Sequence, residues 1–330
     1  MTPGTSRRRW MWSAVLGMGI SAVFLYLTLR RVDLAGVRGA LGGVSLPILS
    51  LALVTRGSAF LAMGLRSRAT VAPGGDVAYK SLTLSHLLGY TGNNVLPFRL
   101  GELLRVDYLA RRGKLSRSFL MGTVAVERLL DSVVLLALFA LTVPLVVGES
   151  LLEGSYPFLV AATVLAMGLG VLVVRWRGFP AFLGRAVQLV SSRWATTIQD
   201  HAGRVVTGLT SLASARWAPA ALGATLLYWL CAVGSIRVAM AAFGLTLPWY
   251  APFLVLAVTS LGTALPSSPS FVGTYHYFSA LGLSLLGAEA STSASFAIVA
   301  HAMAFIPYTV LGLLVFARSI RVWLGQDASP

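Results

Sequence analysis

Apolar stretches long enough to cross a lipid bilayer recur along the whole chain. About 20 consecutive apolar residues span the hydrocarbon core, and only 11% of the 330 residues are charged, less than half the share of about 25% found in soluble domains. The candidate segments are 10–29, 44–65, 78–97, 119–147, 156–174, 217–243, 250–265, 271–287 and 293–317. The sequence therefore predicts an all-α, polytopic integral membrane protein with about six to eight transmembrane helices.

The positions of the basic residues predict how the chain is oriented. Its formal net charge is +15, and most of the arginines lie in short segments between apolar runs, where cytoplasmic loops carry positive charge. The basic segments are Arg7 to Arg9, Arg111 to Arg117, Arg175 to Arg216, and Arg318 with Arg321. This pattern predicts cytoplasmic termini, with Arg30, Arg31 and Arg38 as exceptions. It favours anionic lipid head groups as partners and argues against nucleic acid.

Residues 176–216 differ from the apolar segments around them. Arginines alternate with apolar residues there at roughly helical spacing, which predicts an amphipathic helix pair on the cytoplasmic membrane surface. We expect one transmembrane domain over 1–330, with halves 1–175 and 217–330 joined by this segment.

Each half contains an apolar segment that is interrupted at a Leu-Pro pair. The first reads GNNVLPFRLGELLR over 92–105, and the second reads ALPSSPSFVG over 264–273. In the predicted topology, the two interruptions are approached from opposite sides of the membrane. Two re-entrant or broken helices in an inverted repeat are typical of transporters, and we expect that architecture here.

The first interruption contains polar groups suited to an anion. A helix that restarts after Pro97 presents free N–H groups and a partial positive charge, to which Arg99 adds a full charge and Asn93 and Asn94 add amide donors. This arrangement suits a phosphate or another anionic head group. The alternative is a surface helix over 98–117 whose charges are simply solvated.

Two pairs of charged residues have the spacing of one helix face. Glu102 and Arg105 are three residues apart and can form an ion pair. Glu127 and Asp131 are four apart, with Arg128 beside them. Ionisable groups inside a membrane are usually functional, so Glu127 facing a cavity would be functional, whereas Arg128 paired with Asp131 would be structural.

Several other polar residues are weaker candidates. Arg56 and Arg237 lie inside apolar segments, where a charge needs a partner, and are secondary candidates for lining the pathway. His86, His276 and His301 fit hydrogen-bonded packing better than proton transfer. Ser268, within the second interruption, and His276, just after it, are nevertheless included in the candidate site.

The sequence lacks the signatures of an enzyme or a metalloprotein. It has no Walker loop, nucleophile elbow, zinc-protease motif or dinucleotide fingerprint, and its single cysteine and few histidines give no metal spacing. We therefore expect no catalytic residues, no cofactor and no metal. The alternatives are a membrane enzyme acting on a lipid-linked substrate, and a non-catalytic membrane partner of a lipid or glycan synthase.

With these motifs in hand, the chain resembles the lysylphosphatidylglycerol synthase transmembrane family, also called flippase-like proteins. The pattern N-x-L-P-x-R-x-G-E-x-x-R is matched by Asn94, Leu96, Pro97, Arg99, Gly101, Glu102 and Arg105. The pattern E-R-x-x-D is matched by Glu127, Arg128 and Asp131. A second-half element is matched by Pro266, Pro269 and Gly273, with Ser270 where the family commonly has glycine.

The resemblance implies translocation of lipids across the cytoplasmic membrane. In larger relatives, a separate soluble domain performs aminoacyl transfer, and because this chain ends at Pro330, soon after its last apolar segment, we expect no such activity. We expect an anionic phospholipid or a polyprenyl-phosphate lipid as substrate, and a synthase or a second copy of the chain as further partners. Arg99, Asn93 and Asn94 would bind the head group, which Glu102 and Arg105 would orient. Glu127 and Asp131 would supply charge balance or proton coupling.

Overall fold

The structure, a computed structural model, describes residues 17–30, 32–96, 100–147, 217–265 and 267–323. Every regular element in these ranges is helical. The predicted segments 156–174 and 176–216, and the site candidates Pro97, Arg99 and Pro266, lie outside the described residues.

The helices follow the predicted apolar segments closely. We number them α1 Gly17–Leu29, α2 Leu34–Gly42, α3 Leu46–Val71, α4 Tyr79–Val95, α5 Gly101–Gly113, α6 Arg117–Thr142, α7 Pro144–Val147, α8 Ala218–Ala242, α9 Ala251–Gly262, α10 Thr274–Ser284 and α11 Ala290–Trp323. A short 3₁₀ helix, Pro269–Phe271, precedes α10.

Four of these stretches are long and apolar enough to cross a membrane. They are Leu46–Val71, Arg117–Val146, Ala218–Ala242 and Ala290–Ser319. The shorter helices α1 and α9 are also apolar. The chain is therefore a multi-pass α-helical membrane protein, whereas the total of six to eight spans stays a prediction.

Two helices differ from the sequence-based expectation. Helix α3 continues to Val71, beyond the predicted end at residue 65, because Arg66, Ser67 and Thr70 are fully buried and find partners inside the protein. Helix α2 is an element that the apolar pattern does not predict. It begins where the Asp33 carboxylate accepts a hydrogen bond of 2.9 Å from the Gly36 amide, which satisfies one of the free N–H groups at the helix start.

The same order of elements occurs twice: a long helix, a short helix, a break, a second short helix and a long helix. In the first half these helices are α3, α4, α5 and α6. In the second half they are α8, α9, α10 and α11. In each half the two short helices run antiparallel. Gly89 of α4 lies against Arg105 of α5, and Gly282 of α10 lies against Val255 of α9. The inverted repeat itself stays a prediction.

Helices α3 and α8 connect the two halves. They run antiparallel, because the Ser45 amide just before α3 donates a 2.9 Å hydrogen bond to the carbonyl of Ala242 at the end of α8. Small buried residues such as Ala52 and Ala239 line this part of the core. Small residues allow membrane helices to approach closely and to gain van der Waals contact.

The α4–α5 hairpin depends on glycine. A Cβ atom on Gly92 would lie 2.5 Å from the Cα of Gly101, and a Cβ on Gly101 would overlap the Gly89 carbonyl oxygen. The Gly101 amide also donates a 3.0 Å hydrogen bond to the Asn93 side chain. These contacts turn the chain back, so that α5 returns along α4.

Gly101→Ala is expected to destabilise the protein by about 1–3 kcal/mol, the usual cost of overpacking a filled interior. The measurement is the midpoint of thermal unfolding in detergent. Gly223→Ala is the matched control, because a Cβ added to Gly223 in helix α8 would meet no atom within 4 Å, and alanine there favours the helix. Equal midpoints for the two variants would contradict the packing argument.

Candidate functional site

Charged side chains from three helices meet in one group, which we call the charged cluster. Helix α3 contributes one residue, α5 two and α6 three. The members are Arg66, Glu102, Arg105, Glu127, Arg128 and Asp131. Because it joins three arginines to three carboxylates, its formal charge is zero.

Glu127 is the centre of the charged cluster and is fully buried. Its Oε2 lies 2.7 Å from Arg105 Nη1 and 3.6 Å from Arg66 Nη2. Its Oε1 accepts hydrogen bonds of 3.0 Å from Arg105 Nη2 and 2.7 Å from Ser67 Oγ. One carboxylate therefore balances two guanidinium groups, an arrangement that a buried charge requires.

Asp131 extends the charged cluster to the second half of the chain. Its Oδ1 accepts a 2.6 Å hydrogen bond from Arg66 Nη1 and a 3.2 Å hydrogen bond from Trp229 Nε1 on α8. The Arg66 guanidinium also lies 5.6 Å from the ring centroid of Tyr228. The cluster therefore holds α3, α6 and α8 in register.

The charged cluster is accessible at one edge. The Arg128 side chain is 50% exposed and its Nη2 lies 3.0 Å from Oε1 of Glu102, which is 24% exposed. Arg128 Nη1 lies 3.4 Å from Asp131 Oδ2, and Arg105 Nη1 lies 3.7 Å from Glu102 Oε2. The predicted pairs Glu102 with Arg105 and Arg128 with Asp131 therefore form, and Glu127 lies inside rather than at the accessible edge.

Within the described residues, several buried polar atoms of the cluster have no aligned hydrogen bond. They include Arg66 Nε, Arg105 Nε and Glu102 Oε2. Native proteins leave few such groups, and each costs about 1–3 kcal/mol when it is desolvated without a partner. These buried atoms of the cluster therefore lack a hydrogen-bond partner among the described residues.

Arg66 and Ser67 are site residues that the sequence pattern did not predict. The predicted span ends at residue 65, which places both residues in a loop. Ser67 Oγ lies 2.7 Å from His86 Nε2, and it accepts a 2.8 Å hydrogen bond from Arg105 Nη2. The signal that could have found them is the polar run RSRAT, which continues the helix that contains Arg56.

The two interruptions touch each other. Ser270 Oγ donates a 2.8 Å hydrogen bond to the Asn94 carbonyl. The Asn94 amide nitrogen donates a 2.8 Å hydrogen bond to Thr309 on α11. Asn93 accepts the bond from Gly101 described above. Both asparagines therefore also hold the breaks together, in addition to the head-group role predicted for them.

The second interruption has an unusual backbone. Ser270 and Gly273 have φ angles of 65° and 89°, a region that glycine tolerates best. The Ser268 amide donates a 2.8 Å hydrogen bond to Ser21 on α1, which anchors the turn that follows. Pro269 begins the 3₁₀ helix, where its missing N–H is not needed.

Two histidines, His276 and His301, contact this turn. His301 Nε2 lies 2.8 Å from the Ser270 carbonyl, which can only accept, so this nitrogen carries the proton. His276 Nδ1 accepts a 3.3 Å hydrogen bond from the Gly273 amide. The two imidazole rings are 4.7 Å apart. Both histidines therefore form hydrogen bonds to the backbone of this turn.

The two secondary arginines differ in their surroundings. Arg56 on α3 is partly buried, and Arg237 on α8 is exposed. Arg237 lies five residues before the end of α8, where a long side chain can extend to the membrane surface. The structure therefore places only Arg56 inside the helical body.

Asp107 on α5 lies outside the four long helices and pairs with Arg111 of α5 and with Arg117 at the start of α6. Burial raises the pKa of Asp107, but hydrogen bonds from Arg117 and Arg111 outweigh it and hold the pKa below its usual value. The folded state therefore gains stability above the pKa of the unfolded carboxyl, and loses it as the pH falls through the lowered pKa.

An apolar groove of about 440 Å³ lies between α6, α7, α9 and α10. It is lined by Phe139, Val143, Val146, Leu254, Val258, Leu261, Gly262, Leu265, Phe278, Leu281 and Leu285. The groove has the dimensions of a small-molecule site and offers only dispersion and hydrophobic contact.

A family model described as "Lysylphosphatidylglycerol synthase TM region" matches residues 14–312. Comparisons with curated proteins and with solved structures gave no match. The family model covers both interruptions and all members of the charged cluster.

Glu127→Gln is expected to destabilise the protein strongly, by about 3–5 kcal/mol, because it leaves two buried guanidinium groups without their shared counter-charge. Asp107→Asn is the matched control. It removes an exposed pair, which contributes less than about 1 kcal/mol. Thermal unfolding in detergent measures both, and a Glu127→Gln midpoint equal to that of Asp107→Asn would contradict the role of Glu127.

Proposed function

We propose, because the chain belongs to the lysylphosphatidylglycerol synthase transmembrane family, that it moves lipids between the two leaflets of a membrane. Family membership gives a function related to membrane lipids. The finer proposal is a flippase of the bacterial cytoplasmic membrane, with both termini in the cytoplasm. Its cargo is an anionic or lipid-linked head group of the phospholipid or polyprenyl-phosphate type.

The observation that carries this proposal is the charged cluster inside a multi-pass body. Ionisable groups within a membrane are expensive and usually mark a substrate or ion pathway. Arg66 and Arg105 each retain a buried Nε atom without an aligned hydrogen bond. A phosphate group supplies the acceptors that such arginines bind best.

The accessible edge suggests how a head group enters. Arg128 is half exposed and lies between Glu102 and Asp131, so it can exchange a carboxylate for a lipid phosphate. Glu127 stays paired with Arg66 and Arg105, which supports charge balance as its role. Arg99, in the segment just before α5, is proposed from the sequence as the principal head-group ligand.

The apolar groove supports a lipid as cargo. An acyl chain is apolar along its whole length, and burial of each CH₂ group contributes about 0.8 kcal/mol. The groove between α6, α9 and α10 provides such a surface. We propose movement without covalent chemistry, so that the chain acts as a transporter and not as an enzyme.

Lipid translocation in proteoliposomes that contain only this protein tests the proposal. Labelled phosphatidylglycerol and a labelled polyprenyl phosphate are followed side by side by chemical quenching of the outer leaflet. We expect the wild type to move one of them. Arg99→Ala should slow movement about tenfold or more, because a charge-assisted hydrogen bond contributes about 1.5–3 kcal/mol.

Arg38→Ala is the control, because Arg38 is an exposed arginine on α2 outside the proposed site. It should transport at the wild-type rate. An Arg99→Ala protein that moves lipid as fast as this control would remove Arg99 from the mechanism. A wild-type protein that moves neither lipid would contradict the transporter and favour an enzyme or a partner of a synthase.

A further inference from the structure

Arg56 lies near the middle of a membrane-spanning helix. Helix α3 runs from Leu46 to Val71, so Arg56 is about 4 Å from its midpoint at a rise of about 1.5 Å per residue. This is the depth at which a charge is most costly. Among the described residues, no carboxylate forms an ion pair with Arg56, in contrast to Arg66, Arg105 and Arg128.

Tyrosines from four different helices interact electrostatically with Arg56. Its electrostatic neighbours are Tyr90, Tyr228, Tyr275 and Tyr308. Two of them fix the helices around it. Tyr308 donates a 2.6 Å hydrogen bond to the Leu53 carbonyl on α3, and Tyr90 donates a 3.0 Å hydrogen bond to the Ala304 carbonyl on α11.

The other two tyrosines keep their hydroxyl groups available. In the described part of the chain, neither Tyr228 nor Tyr275 uses its hydroxyl in a hydrogen bond. Both side chains, like Arg56, are partly accessible. Among the described residues, Arg56 therefore has no carboxylate partner, and two of the tyrosines that interact with it have hydroxyls available to donate.

We propose that Arg56, with Tyr228 and Tyr275, binds the phosphate of the lipid head group midway through its transit. The guanidinium has the geometry to bind two phosphate oxygens at once, and each phenol can donate one further hydrogen bond. An anion here would balance a charge that the described residues leave uncompensated. The inference rests on the proposed lipid transport and specifies where and how the head group is held.

The position of Arg56 connects the two functional regions. Arg66 of the charged cluster is ten residues further along α3, about 15 Å away along the helix axis, and Tyr228 interacts with both arginines. On the other side, the Tyr275 ring lies 4.8 Å from His301, which contacts the second interruption. A head group moving between these regions would meet Arg56 on its way.

A structural role for Arg56 is the competing explanation. Cations pack favourably against aromatic rings, so Arg56 could simply hold the four helices together. In that case its replacement would lower stability but would not affect phosphate binding. The two roles therefore differ in ligand affinity measured on folded protein.

The experiment measures binding to the purified full chain in detergent, with dihexanoyl phosphatidylglycerol and inorganic phosphate as probes. Calorimetry gives the affinities of wild type, Arg56→Gln, Arg56→Lys and the control Arg68→Gln. Arg68 is an exposed residue of the same helix. We expect Arg56→Gln to bind the lipid about ten- to a hundredfold more weakly. Arg56→Lys should lose less affinity, because it keeps the charge but not the paired N–H donors of the guanidinium. Arg68→Gln should bind like the wild type. Thermal unfolding shows whether each variant is folded.

Each other outcome overturns the proposal in a recognisable way. If Arg56→Gln binds and transports lipid like wild type, the site is wrong while lipid transport stands. If Arg56→Gln does not fold and Arg56→Lys binds with wild-type affinity, Arg56 is a structural cation. If inorganic phosphate binds as tightly as the lipid, the site recognises a free anion. If the wild type moves no lipid in proteoliposomes, the proposed function itself fails.

Discussion

The rest of the structure depends on one carboxylate shared by two buried guanidinium groups. Glu127 on α6 balances Arg66 on α3 and Arg105 on α5, and a charge buried without such a partner costs several kcal/mol. The partners can meet only if α5 turns back along α4, which brings Arg105 to the level of Gly89. The break between α4 and α5 is therefore needed for the charged cluster to form.

The break itself would be expensive in lipid, because its backbone groups lose their helical partners. The protein compensates with side chains: Asn93 accepts from the Gly101 amide, and Ser270 binds the Asn94 carbonyl. The Ser270 hydroxyl of the second interruption thus satisfies a backbone carbonyl of the first, while the Asn93 side chain satisfies an amide of its own break. Asn93 and Asn94, which are predicted to bind a ligand, therefore also have structural roles.

The helices and the local charge pairs could be predicted from the sequence, because both follow from spacing along one helix. Glu102 with Arg105, and Arg128 with Asp131, form the predicted pairs. The partners from other helices could not be predicted. Hydropathy alone predicts that the span ends just before Arg66. This residue is nevertheless fully buried, because its guanidinium forms an ion pair with Asp131, which is distant in sequence. Trp229 and Ser67 likewise acquire their roles only through tertiary contact.

The arginines inside the helical body fall into two chemical classes, and the difference bears on how an anion could cross. Arg66 and Arg105 already share a carboxylate, so an incoming phosphate must compete with Glu127 for these two arginines. Among the described residues, the electrostatic neighbours of Arg56 are tyrosines, and two of them keep a hydroxyl that can donate to an anion. A carrier needs sites that bind a head group and also release it. Under the proposed transport, the neutral cluster built from α3, α5 and α6 would stabilise the fold, and Arg56 on α3 would hold the head group at mid-membrane.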